Sequence, residues 1–249
     1  MTGQILEEAL AGLEAALDHG LRWSGLVTQL RDLGIDQVNY AVLDLQTGTR
    51  EEAGVIQYSS MDPTWIGHYL DRRLDLHDPH VRFVRERGFN PYRFSAEMGE
   101  RLEDRREADV IAQAAEAGLR SQISVVFPDL LGNPDPIGGM TLGSSLPEDE
   151  FVRRFAGQEM ALLTIGTMFH ERSLGEVRGN QHGAKALTPR ERDCLTLLAQ
   201  GKRTARIAER LKIADSTVEL HLRNARRKLK AKTAAQAVAR ALLFGEIAL

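Results

Sequence analysis

The first 184 residues contain no lysine. They hold 17 arginines against 29 acidic side chains, a surplus of 12 negative charges, whereas residues 185–249 hold 15 lysines and arginines against 6 acids, a surplus of 9 positive charges. The formal charge of −3 for the 249-residue chain hides this division. A charge asymmetry between two parts of a chain marks separate domains, and a compact basic end points to an anionic partner. The chain is long enough for two cores, and its 43% hydrophobic content excludes wholesale disorder. No apolar run reaches the ~20 residues needed to span a bilayer. Glu7, Glu8 and Glu14 near the start, with no early basic cluster, do not make a secretory signal, so a cytoplasmic protein without membrane contact is expected.

Periodicity supplies the elements. Leu6, Leu10, Leu13 and Leu17 recur at helical spacing, predicting a first helix that ends near His19-Gly20, and a second covers 22–33. Residues 38–45 and 54–60 read as strands around the turn QTGTRE, and 123–127 and 137–144 as strands around LGNPDP, so two hairpins are expected. Helices are predicted over 63–74, 78–87 and 103–117, the second opening with Asp78-Pro79 as N-cap and first-turn proline. A long amphipathic helix over 147–177, with Phe151, Phe155, Leu162, Leu163, Ile165, Met168 and Phe169, offers an apolar face for dimerisation. Helices around hairpins imply an α+β chain: an N-terminal α/β/α sandwich with an antiparallel sheet. The stretch 175–185, GEVRGNQHGAK, reads as a linker.

Four short helices follow, over 188–200, 204–211, 215–229 and 234–244, giving an all-α domain. Thr188, Pro189 and Glu191 form a capping-box signature. The second and third helices, TARIAERL and TVELHLRNARRKL, flank a short polar break, which is the helix-turn-helix pattern. Val218, Leu222, Ala225 and Leu229 make the inward stripe of the third helix, leaving Glu219, Arg223, Arg226, Arg227 and Lys230 on its outer faces. Glu219, Leu220 and Arg223 are candidates for base edges: glutamate accepts from cytosine, arginine forks onto guanine, and leucine meets a thymine methyl. Arg203, Arg206, Ser216, Thr217, Arg226, Arg227 and Lys230 are candidates for phosphate. Double-stranded DNA is therefore the expected partner of the basic end.

The segment from Leu187 to Ala239 resembles the DNA-binding domain of the LuxR family, with Glu191, Leu195 and Gly201 on the family's signature positions. That family joins its DNA-binding domain to several kinds of sensor. A phospho-receiver needs an essential lysine and a parallel sheet, and the acidic domain has neither the lysine nor the strand pattern. The segment WIGHYLDRRLDLHDP instead resembles the autoinducer-binding domain of quorum-sensing regulators, whose Trp, Tyr and Asp-Pro positions are Trp65, Tyr69, Asp78 and Pro79 here. The resemblance implies a sensor domain over 1–174, the linker 175–185 and a helix-turn-helix domain over 186–249. It implies an acyl-homoserine lactone as signal, held by the Trp65 indole, the Tyr69 phenol and the Asp78 carboxylate, with Thr141 near the amide and a homodimer as the working form. Apolar residues such as Ile56, Val125 and Leu142 would line the acyl tail.

Three positions depart from the family: Met61 stands where a tyrosine is common, Phe94 (or Tyr92) where a tryptophan is, and Gln122 replaces the glycine of GLRSGI. Met61 and Phe94 therefore join the candidate ligand-binding set in an altered surrounding. The alternatives are an orphan LuxR-type regulator that binds DNA without an acyl-homoserine lactone or answers another small molecule or protein, and a signal-degrading enzyme. No nucleophile–base pair or glycine-rich phosphate loop supports an enzyme, and no cofactor is implied. His68, His77 and His80 lack a metal-ligand spacing, and the single Cys194 reads as a small buried hydrophobe.

Overall fold

The structure is a computed structural model describing residues 2–44, 54–87, 92–127 and 137–249. Both expected hairpin turns, 46–51 and 131–136, lie outside the described residues. The chain forms two compact units, Met1–His170 and Glu171–Leu249.

The first unit is built on a five-stranded antiparallel sheet. Its strands are β1 (Gln37–Asp44), β2 (Gly54–Ser59), β3 (Tyr92–Ser95), β4 (Ser121–Phe127) and β5 (Gly138–Ser144), in the order β2-β1-β5-β4-β3. The two hairpins anticipated from alternation are β1-β2 and β4-β5, and β1 pairs with β5 to join them. Strand β3 and the single turn α5 (Ala96–Gly99) after it were not anticipated. Four residues behind Pro91 carry too little alternation to be read as a strand.

Helices flank both faces: α1 (Thr2–Ala15), α2 (His19–Leu33), α3 (Pro63–Asp71), α4 (Pro79–Arg87), α6 (Arg105–Glu116), α7 (Glu148–Phe155) and α8 (Glu159–Gln181). The first face carries Val38, Tyr40 and Val42 of β1 with Met140 and Leu142 of β5, all buried. Against it stand Phe169, 5.2 Å from Tyr40, and His170, stacked 4.0 Å from Phe127 with Nδ1 3.1 Å from the Tyr40 hydroxyl. His19 and Trp23 of α2 cover Tyr58 at the sheet edge. Such aromatic packing, edge to face, contributes beyond the area it buries.

Three expectations need correction. First, α1 stops at Ala15 because Asp18 caps α2, its carboxylate accepting from the Leu21 amide at 2.9 Å. Leu17 falls between the helices and is 91% exposed rather than part of the stripe. Secondly, 63–74 is broken: Arg73 adopts φ 52°, and Leu74–Leu76 form a 3-10 turn. Thirdly, 147–177 is two helices. Gly157 at φ 73° makes the left-handed turn between α7 and α8, a conformation that costs a residue with a Cβ about 1–2 kcal/mol. Phe151, Phe155, Leu162, Ile165 and Phe169 are buried within the sensor, so most of the stripe read as a dimer face is not available for that purpose.

The second unit takes the end of α8 and adds α9 (Pro189–Ala199), α10 (Thr204–Leu211), α11 (Asp215–Lys228) and α12 (Ala234–Leu243). Residues 175–181 of the glycine-bearing stretch are helical. Gly175 lies so close to α12 that a Cβ would sit 2.4 Å from the Phe244 carbonyl oxygen. Leu195, Ala225, Leu229, Ala237 and Ala241 form one core, and Cys194, Ile207, Ala208 and Val218 a second, with Leu198 and Leu222 packed against both. The capping box forms as read: the Glu191 carboxylate takes the Thr188 amide at 2.7 Å, and Thr188 Oγ1 takes the Glu191 amide.

Candidate functional site

Asp62 caps α3, accepting from the Thr64 amide at 2.7 Å, with Pro63 at the first helical position. That start sets Trp65 and Tyr69 one turn apart, rings 5.9 Å apart in a T-shaped contact. The Tyr69 hydroxyl donates to Asp78 Oδ2 at 2.7 Å. Asp78 Oδ1 accepts from the His80 amide at 2.8 Å and faces His80 Nδ1 at 3.1 Å. The residue is thus helix cap and site carboxylate at once. Burial pushes the Asp78 carboxyl up, but the hydrogen bond and charge of His80, with the Tyr69 hydroxyl, hold it below the ordinary aspartate value. An ionised carboxylate offers about four lone-pair directions, and the Tyr69 hydroxyl and the His80 amide fill two of them.

The chain of contacts continues to the sheet. The buried Gln122 amide of β4 meets both ring nitrogens of His80, and the Phe94 ring lies 4.9 Å from the same imidazole, edge to face. His68, on α3, bonds instead to Gln113 of α6 at 2.8 Å. His68 and His80 therefore serve hydrogen bonds, and among the described residues no group of three or more metal-ligating side chains comes together.

Register decides which residues share the second face of the sheet. Thr141 stands opposite Asn39 on one side and Ser124 on the other, Asn39 stands opposite Ser59, and Gln122 stands opposite Phe94. Side chains alternate along a strand, so Gln122 and Ser124 point the same way and Phe94 and Thr141 lie on one face. Of the six residues singled out for ligand, Tyr69 and Asp78 touch, Trp65 adjoins them, Phe94 joins through His80, and Thr141 lies on the same sheet face as Gln122. Met61 is buried just beyond β2, its amide donating to Ser59 Oγ at 3.2 Å. Ile56, Val125 and Leu142 belong to the opposite face, paired with Val42, Met140 and Val38 in the main core. They cannot line a tail that lies beside Thr141. Their apolar character reflects the core, and a one-residue offset separates the two roles.

The sequence missed His80 in this role, as well as Ser124 and Asn39. His80 had a local signal, since it sits two residues after a cap aspartate where its amide must face that carboxylate. Ser124 had only its spacing of two from Gln122.

In the second unit, α10 and α11 are joined by a turn with Lys212 at φ 55°. Val218, Ala225 and Leu229 are fully buried and Leu222 half-buried, as the stripe required. Arg203, Arg206, Ser216, Glu219, Leu220, Arg223, Arg227 and Lys230 are exposed, and Thr217 and Arg226 are half-buried. Glu219, Arg223 and Arg226 line a groove of about 340 Å³ with Leu195, Leu198 and Ala234. Arg206 carries an ion pair to Glu209 at 2.6 Å, exposed on both sides and cheap to exchange for phosphate. Lys230 lies past the end of α11, where Arg240 Nη1 donates to the Leu229 and Lys230 carbonyls at 2.9 and 2.6 Å. Lys228, not singled out beforehand, reaches Glu191 at 2.7 Å. Burial raises the Glu191 carboxyl, but that ammonium and the Thr188 bonds bring it below its ordinary value.

An antiparallel sheet between helices, a buried polar group beneath α3 and α4, and a basic helix-turn-helix unit define a two-domain sensor and DNA reader. Comparison with known proteins gives the family. The autoinducer binding domain matches residues 21–173, and the luxR family of bacterial regulatory proteins matches residues 185–241. The chain is 30% identical over 190 residues to the quorum sensing-dependent transcriptional regulator VjbR of Brucella ovis, covering 76% of this chain and 72% of that one. It is 32% identical over 177 residues to the transcriptional activator RaiR of Rhizobium etli, covering 70% of each. The crystal structure of Escherichia coli SdiA shares the fold, with a TM-score of 0.54 at 18% identity over 98% of both chains. The chain belongs to the LuxR-type family of quorum-sensing transcriptional regulators. It carries an autoinducer-binding domain for a small-molecule signal and a helix-turn-helix domain for DNA. Among the described residues no helix is long and apolar enough to cross a membrane.

Proposed function

We propose that the signal is an N-acylated homoserine lactone, held between the sheet and α3–α4 and released unchanged, so that the domain reads its ligand rather than transforming it. The supporting observation is the half-buried Asp78 carboxylate, which accepts from the Tyr69 hydroxyl and the His80 amide and faces the His80 ring. A ligand amide N–H fills a lone-pair direction of that carboxylate. The Trp65 indole and Tyr69 phenol offer donors for the carbonyls, Thr141 a hydroxyl for the amide region, and Met61 and Phe94 apolar walls.

Burial of the signal stabilises the folded sensor by mass action, since the unfolded chain has no site. The protein then acts in the cytoplasm as a homodimer on a palindromic DNA site whose half-sites lie about one helical turn apart. Glu219, Leu220 and Arg223 read base edges. Arg203, Arg206, Ser216, Thr217, Arg226, Arg227 and Lys230 meet phosphates.

Thermal unfolding with a panel of acyl-homoserine lactones tests this. The wild-type melting temperature rises with at least one lactone, the lactone is recovered intact, and Asp78→Asn blunts the rise. No shift with any lactone, or a shift unchanged in the variant, would overturn it.

A further inference from the structure

The basic helix α11 ends in a turn that glycine usually makes, and here a lysine makes it. Lys230 adopts φ 55°, in the left-handed region that a Cβ disfavours. The Lys230 amide donates to the Arg227 carbonyl at 3.3 Å and the Ala231 amide to the Arg226 carbonyl at 2.8 Å, which closes the helix end. The Lys228 carbonyl accepts from the Lys185 amide at 3.0 Å. The next two carbonyls, of Leu229 and Lys230, go to a side chain from another helix.

That side chain is Arg240 of α12, whose Nη1 donates to the Leu229 carbonyl at 2.9 Å and to the Lys230 carbonyl at 2.6 Å. The two carbonyls belong to the rigid peptide planes on either side of the Lys230 Cα. One donor seated on both therefore restrains φ and ψ of the strained residue together. The guanidinium also sets a positive charge at the negative end of the α11 dipole. Its own position is fixed, because Ala237 and Ala241, one turn to either side along α12, are fully buried in one core with Ala225 and Leu229. Arg240 is half-buried, whereas Lys230 is exposed. One cation serves the backbone of the turn and the other faces outward.

We propose that Arg240 is a positioning residue for DNA binding: by bridging the carbonyls that flank Lys230, it holds the turn after α11 in the conformation that presents the Lys230 ammonium to a DNA phosphate. The inference rests on the phosphate role proposed above for Lys230 and adds what places that charge. Arg240 acts through the turn and does not itself touch DNA.

The test is a double-substitution cycle on the full chain, for wild type, Lys230→Gly, Arg240→Met and the two combined. The probe is a mixed-sequence duplex of about 30 base pairs, since phosphate contacts do not depend on sequence, and binding is followed by fluorescence anisotropy against salt concentration. Glycine at position 230 removes the charge and takes the left-handed turn without support. Each single substitution weakens binding about fivefold at about 0.1 M salt and lowers the slope of log affinity against log salt by about one. In the Lys230→Gly background, Arg240→Met changes neither. Urea unfolding reports folding, and Arg240→Gln, which keeps an amide donor on a shorter stem, carries the same cycle if Arg240→Met does not fold. A slope lowered by the Arg240 substitution in both backgrounds makes Arg240 a phosphate contact in its own right and overturns the inference. Unchanged binding on that substitution, with Lys230→Gly still effective, makes the bridge purely structural and also overturns it. No effect of Lys230→Gly overturns both the inference and the phosphate role of Lys230.

Discussion

At the scale of single residues, two carboxylates explain most of the chemistry, and each is held ionised against burial by a different neighbour. Asp78 relies on His80 and Tyr69. Its folded value lies below the unfolded one, so it contributes stability above the ordinary aspartate range, near pH 4, and loses that contribution as pH falls through the lowered value. The melting temperatures of wild type and Asp78→Asn, measured from pH 7 down to pH 3, therefore converge as the solution becomes acidic. A constant gap across that range would contradict the assignment. Glu191 relies on Lys228, and here truncation is the sharper probe. Lys228→Met leaves a buried carboxylate without its cation and costs about 3 kcal/mol in urea unfolding, although Lys228 was never a DNA candidate. Trp65, Tyr69 and Asp78 were legible in the sequence because their spacing survives within one continuous segment. His80 and Ser124 were not, because their placement depends on how α4 and β4 come together, although Gln122 stood out as a departure from the family pattern.

At the scale of elements, alternation betrayed the β1-β2 and β4-β5 hairpins, since each strand must bury one face. What it could not provide was the face. Ile56, Val125 and Leu142 were assigned to the ligand side for being apolar, yet the register turns them to the main core and puts Asn39, Thr141 and Ser124 on the opposite face. The break at Gly157 was hidden for a similar reason: the apolar spacing of α7 runs on into α8 as though one helix continued. Gly157→Ala, which forces a Cβ into the left-handed region, lowers the unfolding free energy of the sensor by about 1 kcal/mol. The capping box was legible outright, and Thr188→Ala should cost about 1 kcal/mol in the DNA-binding domain. Chemical denaturation of each variant checks both values.

At the scale of the whole molecule, the chain forms two compact units that divide after His170, and the charge division at residue 184 falls inside the second. The first unit carries the autoinducer-binding domain for a small molecule. The basic unit carries its charge outward on α10, α11 and the turn beyond. DNA affinity measured against salt concentration separates the two kinds of contact. Arg227→Ala reduces the slope by about one with base preference intact, whereas Arg223→Ala relaxes sequence preference. A change in base preference alone for Arg227→Ala would refute the division of α11 into base-reading and phosphate-binding residues.

The most direct test of the central claim, that this chain reads an acyl-homoserine lactone through Asp78, is to grow the protein with a lactone mixture, purify it, extract it with organic solvent and weigh what is released. A lactone retained by the wild type and lost from a folded Asp78→Asn variant is the predicted result. Equal retention by both proteins, or none by either, would contradict the claim.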